Sequence, residues 1–318
     1  MIRSSWATVL VALLAACTPP QASPADRGPA ASTVQELSWA PPSWFPETSR
    51  ERLWVLDELD GATVHDGGPR VHARGGILAD LDNGEILWAK DPDGLRPIAS
   101  ITKLVSSLAL ASAGELDVRL DREVCIGLEQ WPSRPGARSK LETDDCHEGW
   151  ELLGAALVAS DNRGAYSFPP LTDREYHDFI GRMNEVGRDL GFDKAIFEDP
   201  SGLEDGNLAS PRDVLKAVTA VSLHPTLQIA ASARSWLLEP SRGDRRVIST
   251  NQLLRSEWGF DTVAAKTGYT DTAYYCIAAV LQSQASGRRY GAVVLSSPKS
   301  RTRFDDVRKL VSWAEDRT

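Results

Sequence analysis

The sequence predicts an α/β domain in which one antiparallel sheet forms from both chain ends, with flanking helices and a mostly helical middle region. Two observations carry this prediction: strand-like patterns lie near the two ends of the domain, and helical patterns fill the interval between them. The predicted strands cover residues 76–80, 85–89, 263–265, 274–281 and 290–295. The predicted helices cover residues 100–113, 150–159, 173–190, 211–223 and 304–315.

The first two strands have a clear hairpin signal between them. Asn83 and Gly84 separate two strand-like runs, and this dipeptide is typical of a tight turn. The first helix follows a loop and places Leu104, Val105 and Leu108 on one face. The sheet is therefore expected to begin with a hairpin and to be covered by this helix.

Composition and charge exclude some classes of function. The chain has 318 residues, of which 42% are hydrophobic and 25% charged, as is ordinary for a globular protein. Its net charge of −9 argues against a nucleic-acid partner, which requires a concentrated basic face. The five His and four Cys form no HExxH, CxxC or HxxH pattern, so we expect neither a metal site nor another cofactor.

Residues 1–17 are typical of an export signal. Arg3 is followed by a short apolar run that is too short to span a bilayer. The run ends in Leu-Ala-Ala before Cys17, which resembles the bacterial lipobox, in which the cysteine is lipidated. The alternative is an ordinary signal peptide with an incidental cysteine. We therefore expect an exported, periplasmic protein held on a membrane by lipid on Cys17; Thr18 indicates no inner-membrane retention, which favours the outer membrane in a Gram-negative cell.

Residues 18–65 are predicted to form a tether, and residues 66–318 the folded domain. The predicted tether is rich in Pro, Ala, Ser and Asp, a composition that favours an extended chain. Trp39, Trp44 and Trp54 within it are candidates to pack on the domain or on another partner.

Export makes disulfide bonds plausible among the remaining three cysteines. Cys125 and Cys146 lie 21 positions apart in a polar, Pro-rich stretch, where a bridge is possible and would contribute about 3 kcal/mol. Cys276 lies in an apolar run and is predicted to be a buried free thiol.

Ser100 and Lys103 are the first candidate catalytic pair. On a helix their side chains share one face, so the amine can act as the base that a weak serine nucleophile requires. The alternative is an ordinary helix cap. A second Ser-x-x-Lys pattern at 296–299 contains Pro and is interpreted as a loop.

Two further motifs supply polar groups for the same chemistry. Ser160 and Asn162, just after an apolar helix, can relay a proton and bind a substrate amide. Lys266, Thr267 and Gly268 supply charge, a hydroxyl and close backbone access at a strand. Taken singly, these motifs also fit a polar helix end and an exposed strand end. Another Ser-x-Asn pattern at 249–251 is interpreted as fortuitous.

The three motifs together occur in the order Ser-x-x-Lys, Ser-x-Asn, Lys-Thr-Gly. This order is the signature of class A β-lactamases and penicillin-binding proteins. At these residues the chain resembles the low-molecular-weight penicillin-binding proteins, the D-alanyl-D-alanine carboxypeptidase and endopeptidase family. The resemblance extends to the stretches 97–103, 197–203 and 210–213 and to Asn207. Residues 160–163 and 250–253 are more similar to the endopeptidase branch.

The resemblance implies a β-lactamase/transpeptidase-like fold and a two-step acyl transfer on peptidoglycan peptides. Ser100 is the implied nucleophile, Lys103 its base, and Ser160 the residue that protonates the leaving amine. Asn162, Lys266, Thr267 and Gly268 are implied substrate-binding residues, together with Tyr269, whose backbone N–H joins that of Ser100 in an oxyanion hole. β-Lactams are implied inhibitors.

Two rival functions share the three motifs. A class A-like β-lactamase also requires a Glu with an Asn four residues later, and the nearest match, Glu204 with Asn207, has the wrong spacing. A non-catalytic wall-binding protein on the same fold is disfavoured by the intact Ser100, Lys103 and Lys266.

Overall fold

The computed structural model describes residues 39–61, 67–128, 139–239, 243–255 and 257–317. The predicted signal peptide at 1–17, including Cys17, lies outside these residues, as do tether residues 18–38 and 62–65. No helix in the described ranges has the length and apolarity needed to cross a membrane.

Strands and helices both form in the described ranges. The strands are β1 Gly75–Asp80, β2 Glu85–Lys90, β3 Arg96–Pro97, β4 Glu123–Cys125, β5 Cys146–Glu148, β6 Leu208–Ala209, β7 Ser235–Leu238, β8 Arg245–Ile248, β9 Phe260–Thr270, β10 Tyr274–Ser283 and β11 Arg289–Ser297. The helices are α1 Glu47–Arg50, α2 Val55–Gly61, α3 Thr102–Ala111, α4 Leu116–Leu120, α5 Gly149–Leu157, α6 Asn162–Tyr166, α7 Phe168–Leu171, α8 Tyr176–Asp189, α9 Pro211–Leu223, α10 Pro225–Ser232 and α11 Ser300–Glu315.

Five strands form an antiparallel sheet in the order β2-β1-β11-β10-β9. The first strand pairs with the last, so the sheet joins the two ends of the domain. The helices between β2 and β9 make up the middle region. The predicted fold class is therefore confirmed, and the hairpin turn also forms, with Gly84 at a φ of +70°.

Alternate residues of the sheet enter hydrophobic cores on its two faces. On β1, Ile77 and Ala79 belong to the larger core, and Leu78 belongs to the smaller one. The larger core includes α3, α8 and α9, whereas α11 covers the smaller one through Phe304 and Val307. Because β10 and β11 are buried on both faces, their sequences are almost continuously apolar.

The predicted helix at 100–113 begins later than the sequence indicates. Helix α3 starts at Thr102, and Ser100 lies before it in a 3-10 turn formed by Ala99–Ile101. Ala99 has a φ of +50°, so the backbone bends sharply at this residue. Ser100 is consequently presented by a bend and not by the helix itself.

The predicted tether is wrong for residues 39–61, which fold as α1, a 3-10 turn and α2. Phe45, Leu53 and Leu56 are buried in the larger core, where their apolar surface outweighs the proline-rich composition around them. Trp39 and Trp44 also pack against this core.

Hydrogen bonds fix this N-terminal segment to α8 and α9. Trp39 Nε1 donates to the backbone carbonyl of Asp189 at 2.9 Å, and Trp44 Nε1 donates to the Asp189 carboxylate at 2.8 Å. The buried Lys216 amine forms a 2.7 Å ion pair with Asp60. Trp54 also packs against the larger core, so all three tryptophans of the predicted tether pack on the domain.

Cys125 and Cys146 form a disulfide between directly opposed positions of β4 and β5. The proposed bridge is therefore present, and it closes the loop that leads into α5. Cys276 is a buried free thiol, as predicted.

We predict that Phe45→Ala lowers the free energy of unfolding by about 3 kcal/mol, because it removes a buried ring from the core and leaves a cavity. Chemical denaturation of the purified domain measures this loss. Ser43→Ala, at an exposed neighbouring position, is the control and should change stability little. An unchanged denaturation midpoint for Phe45→Ala would show that residues 39–61 are a tether and do not pack on the domain.

Candidate active site

The 3-10 turn at Ala99–Ile101 presents the Ser100 hydroxyl at a partly exposed position. Ile98 and Ile101 on either side are about 1% exposed, and their burial holds the turn against the core. This anchoring allows Ala99 to keep its left-handed backbone, which costs about 1 kcal/mol or more in an isolated chain. The hydroxyl is therefore held by the fold and does not depend on a flexible loop.

Lys103 lies one helical turn after Ser100, and its side chain is fully buried. Its Nζ contacts the Ser100 Oγ at 3.0 Å, the Asn162 Oδ1 at 2.8 Å and the Ser201 backbone carbonyl at 2.6 Å. The last two atoms only accept hydrogen bonds, so they bind two N–H groups of the amine. When the amine is neutral, its lone pair is left to face the Ser100 hydroxyl.

The environment of Lys103 makes this neutral form accessible. Burial lowers the pKa of Lys103 to about 8, whereas the negative charges of Asp199 and Asp161 act in the opposite direction. Because burial is the larger effect, the amine loses its proton at a lower pH than an ordinary lysine does. Lys103 can thus accept a proton at mildly alkaline pH.

The second motif forms a strained turn between α5 and α6. Ser160 has a φ of +60°, a left-handed conformation that is uncommon for serine. Asp161 caps α6 by accepting hydrogen bonds from the backbone N–H groups of Arg163 and Gly164. This cap directs the side chain of Asn162 towards Lys103.

The disulfide-closed region supports this turn from outside. Ser139 donates to the Asp161 carboxylate at 2.7 Å, and the Arg163 guanidinium donates to the Leu141 carbonyl at 2.8 Å and to Thr143 at 2.9 Å. The Arg163 side chain is nearly completely buried. The stretch before Cys146 therefore contributes to the position of the second motif.

The third motif lies on β9, which extends well beyond the predicted strand at 263–265. The buried Lys266 Nζ donates to the Ser160 Oγ at 2.7 Å and to the Thr267 carbonyl at 2.9 Å. Burial lowers the pKa of Lys266 well below its usual value, and repulsion from Lys103 and Arg303 lowers it further. A second amine of reduced basicity thus lies beside the second hydroxyl.

Gly268 allows β9 to approach the turn that carries Ser100. A Cβ at this position would lie 2.7 Å from the Ile98 carbonyl oxygen and 3.2 Å from the Ala99 Cβ. All three motifs are therefore in mutual contact: the first with the second through Lys103, the second with the third through Lys266, and the third with the first through Gly268. Tyr269 follows at the rim, where it is 48% exposed.

Three residues to which the sequence assigned no catalytic or binding role also meet the site. Asp199 lies behind Lys103 in the stretch 197–203. Thr250, the middle residue of the Ser-x-Asn pattern at 249–251, shares a 2.5 Å hydrogen bond with Thr267. Arg303 is buried on α11, and its guanidinium donates to the Gly268 carbonyl at 2.8 Å. Its contact joins residues 35 positions apart, which no local motif reveals.

The remaining motif candidates lie apart from this group. Ser296 is the last residue but one of β11, and the exposed Lys299 precedes α11, so the second Ser-x-x-Lys pattern includes the end of a strand and is not a loop alone. In the described ranges, one group of metal-type side chains comes close together: Glu123 with Cys125 and Cys146. Both sulfurs of that group are bonded in the disulfide, so they offer no thiolates.

The chain is similar to bacterial D-alanyl-D-alanine endopeptidases. It is 27% identical over 252 residues to a D-alanyl-D-alanine endopeptidase of Escherichia coli, a match that covers 78% of each chain. It is 26% identical to a D-alanyl-D-alanine endopeptidase of Pseudomonas aeruginosa, over 75% of this chain and 76% of that one.

The fold is shared with solved structures of related enzymes. The Streptomyces K15 DD-transpeptidase superposes with a TM-score of 0.71 at 22% identity, covering 79% of this chain and 99% of that one. The family model described as D-alanyl-D-alanine carboxypeptidase matches residues 62–299, which include all three motifs. The chain therefore belongs to this family of serine-type D-alanyl-D-alanine peptidases, peptidase family S11.

Proposed function

We propose that this D-alanyl-D-alanine peptidase cleaves peptidoglycan peptides through an acyl-enzyme on Ser100. The observation that carries the proposal is the environment of the Lys103 amine. Two acceptors bind its N–H groups, and the remaining direction faces the Ser100 Oγ at 3.0 Å. This arrangement fits a general base for the serine hydroxyl.

In the first step the Ser100 Oγ attacks the carbonyl carbon of a D-alanyl peptide bond while its proton passes to Lys103. The backbone N–H groups of Ser100 and Tyr269 stabilise the oxyanion of the tetrahedral intermediate, an effect typically worth several kcal/mol. Asn162 and Thr267 bind the substrate peptide, and Gly268 leaves space for its backbone to approach β9.

Collapse of the intermediate breaks the carbon–nitrogen bond and requires a proton on the leaving amine. Ser160 supplies it, and the proton that Lys103 took from Ser100 replaces the Ser160 hydroxyl proton by way of the Lys266 amine, which lies 2.7 Å from the Ser160 Oγ. Lys103 is then neutral again. Water then attacks the ester carbonyl and gives a proton to the neutral Lys103 amine, and this proton passes to the Ser100 Oγ as the acyl–oxygen bond breaks. A β-lactam acylates the same hydroxyl, and the ester that results is hydrolysed slowly.

Within the family, we place the chain in the endopeptidase branch, which cuts cross-links between peptides. Support comes from residues 160–163 and 250–253 and from the two endopeptidase relatives at 26–27% identity. In that reaction the leaving amine belongs to a second stem peptide and not to a terminal D-alanine.

The class A-like β-lactamase alternative lacks support at the residues it requires. The Asn207 side chain is buried, accepts from the Glu198 backbone N–H at 2.9 Å and donates to the Glu204 carbonyl at 3.1 Å. The Asn207 amide is therefore engaged within the turn that carries it. The non-catalytic alternative is disfavoured because Ser100, Lys103 and Ser160 keep the contacts that the reaction requires.

We also propose that the protein is exported, held on the periplasmic side of a membrane by lipid on Cys17, and placed in the outer membrane in a Gram-negative cell. The Leu-Ala-Ala-Cys pattern at 14–17 supports this proposal. The proposed tether does not include residues 39–61, which pack on the domain.

We predict that Ser100→Ala abolishes both acylation by a fluorescent penicillin and cleavage of cross-linked dimeric muropeptides, because the attacking oxygen is gone. Gel fluorescence measures acylation, and mass spectrometry of the products measures cleavage. The wild-type protein should convert dimers to monomers faster than it removes the terminal D-alanine of a monomeric pentapeptide.

The control is Ser296→Ala, which removes the first residue of the other Ser-x-x-Lys pattern and should be labelled like the wild type. Labelling that survives in Ser100→Ala would contradict the assignment of the nucleophile. Rapid, repeated hydrolysis of a chromogenic cephalosporin would favour the β-lactamase instead.

We predict that the rate constant for acylation rises with pH and that the midpoint of this rise, called the limb below, lies near pH 8. Neutral Lys103 is the reactive form, its pKa is about 8, and its neutral fraction therefore increases about fivefold from pH 7 to pH 8. Lys103 and Lys266 titrate jointly because their charges repel, so the limb belongs to the pair. Stopped-flow acylation between pH 6 and pH 10 measures it, and a rate that falls over this range would exclude Lys103 as the base.

We predict that Cys17→Ser moves the protein from the membrane fraction to the soluble periplasmic fraction, because the acylated sulfur is lost. Cell fractionation with metabolic labelling by a clickable fatty acid measures the change. Cys276→Ser, which removes a buried thiol, is the control and should leave the label in place. Fatty-acid labelling that persists in Cys17→Ser would contradict the proposed anchor.

A further inference from the structure

A buried carboxylate behind Lys103 takes no part in the steps described above. Asp199 is fully buried. Its oxygens accept hydrogen bonds from the backbone N–H groups of Ser201 at 3.0 Å, Gly202 at 2.9 Å, Glu204 at 3.3 Å and Leu203 at 3.4 Å. This ring of N–H donors fixes the turn at residues 199–204 around the carboxylate.

Side chains complete the shell around Asp199. The Ser201 hydroxyl donates at 2.5 Å, the Tyr166 hydroxyl donates at 3.2 Å, and the Asn207 amide also donates to it. Tyr166 is stacked on Tyr176 with nearly parallel rings. Within the described ranges no cation lies at ion-pair distance from Asp199, so its negative charge is not neutralised by direct contact.

The turn that Asp199 organises touches both members of the Ser-x-x-Lys pair. The Ser201 carbonyl accepts the 2.6 Å hydrogen bond from Lys103. Gly202, at a φ of +82°, lies against the turn of the nucleophile: a Cβ there would come within 1.9 Å of the Ala99 carbonyl oxygen and 2.9 Å of the Ser100 nitrogen. Ordering of this turn therefore orders the base and the nucleophile together.

We propose that Asp199 is a positioning residue that holds the Ser201 carbonyl on Lys103 and, through its charge, sets the basicity of that amine. This inference rests on the proposed role of Lys103 as the base. It gives the stretch 197–203 a function beyond local structure: the carboxylate fixes the hydrogen-bond partner of the base and opposes the effect of burial on it.

The charges around Lys103 make the direction of this effect clear. Burial lowers the pKa of Lys103, whereas Asp199 and Asp161 raise it, and repulsion from Lys103 contributes to the lowered pKa of the neighbouring Lys266. Around Asp199 itself, the titratable neighbours are the phenols of Tyr166 and Tyr176, and burial raises both of their pKa values, so both stay neutral. Removing the charge of Asp199 therefore makes the Lys103 amine easier to deprotonate and also a weaker base.

The test is the pH dependence of the rate constant for acylation of Ser100 by a fluorescent penicillin in Asp199→Asn. We expect the limb to move about one unit towards lower pH, and the plateau rate to fall about tenfold because the amide cannot accept all of the N–H groups. A merely structural role predicts lost stability with the limb unmoved.

Two further variants keep the proposal falsifiable. Asp213→Asn makes the same change at another buried carboxylate, which caps α9 and is not among the charges that raise the pKa of Lys103; it should lose stability without moving the limb. Tyr166→Phe removes one donor and leaves the carboxylate less screened, so its limb should move by a few tenths of a unit towards higher pH.

Opposite shifts in Asp199→Asn and Tyr166→Phe support the proposal. If Asp199→Asn does not fold, the Tyr166→Phe shift alone decides, and an unmoved limb there overturns the proposal. An unmoved limb in folded Asp199→Asn, or an equal shift in Asp213→Asn, also overturns it. These outcomes leave the proposed function intact, whereas wild-type protein that is not acylated at Ser100 would remove the proposed function first.

Discussion

The site depends on the burial of two lysine amines without carboxylate partners. Lys103 and Lys266 are at most 1% exposed, and within the described ranges neither lies at ion-pair distance from a carboxylate. Their hydrogen-bond partners are hydroxyl, amide and carbonyl oxygens, which do not compensate a full positive charge as an ion pair does. Both amines therefore lose their protons more readily than a surface lysine, and each is held beside a serine hydroxyl.

The fold brings together the hydrogen-bond partners of these amines from three distant parts of the chain. Lys103 bonds to residues 59 and 98 positions away, and Lys266 to one 106 positions away. The sheet fixes β9 against the turn of the nucleophile, while α5 delivers Ser160 in a left-handed conformation. Such strain persists only where the surroundings over-determine it, as the capped α6 and the buried residues around Ala99 do here.

Periodicity and turn chemistry were enough to predict the sheet, the hairpin and most of the helices. The three motifs likewise predicted residues that meet in one group, because each motif is local. The N-terminal segment escaped prediction because proline-rich composition outweighed the signal of Phe45 and Leu53, whose partners lie far along the chain. Thr250 and Arg303 were missed for the same reason: their contacts with the third motif exist only after β9 has docked.

Burial lowers the pKa of Lys103 and nearby negative charge raises it, and the site contains both. Burial alone would make Lys103 neutral at a lower pH, but a less basic amine is also a poorer acceptor for the proton of a serine hydroxyl. Asp199 and Asp161 act against burial and keep the pKa of Lys103 at about 8, so the amine is partly neutral near physiological pH and still strongly basic. A carboxylate in direct contact would hold the proton too firmly. Asp199 acts instead across the Ser201 carbonyl, at a distance that moderates its effect.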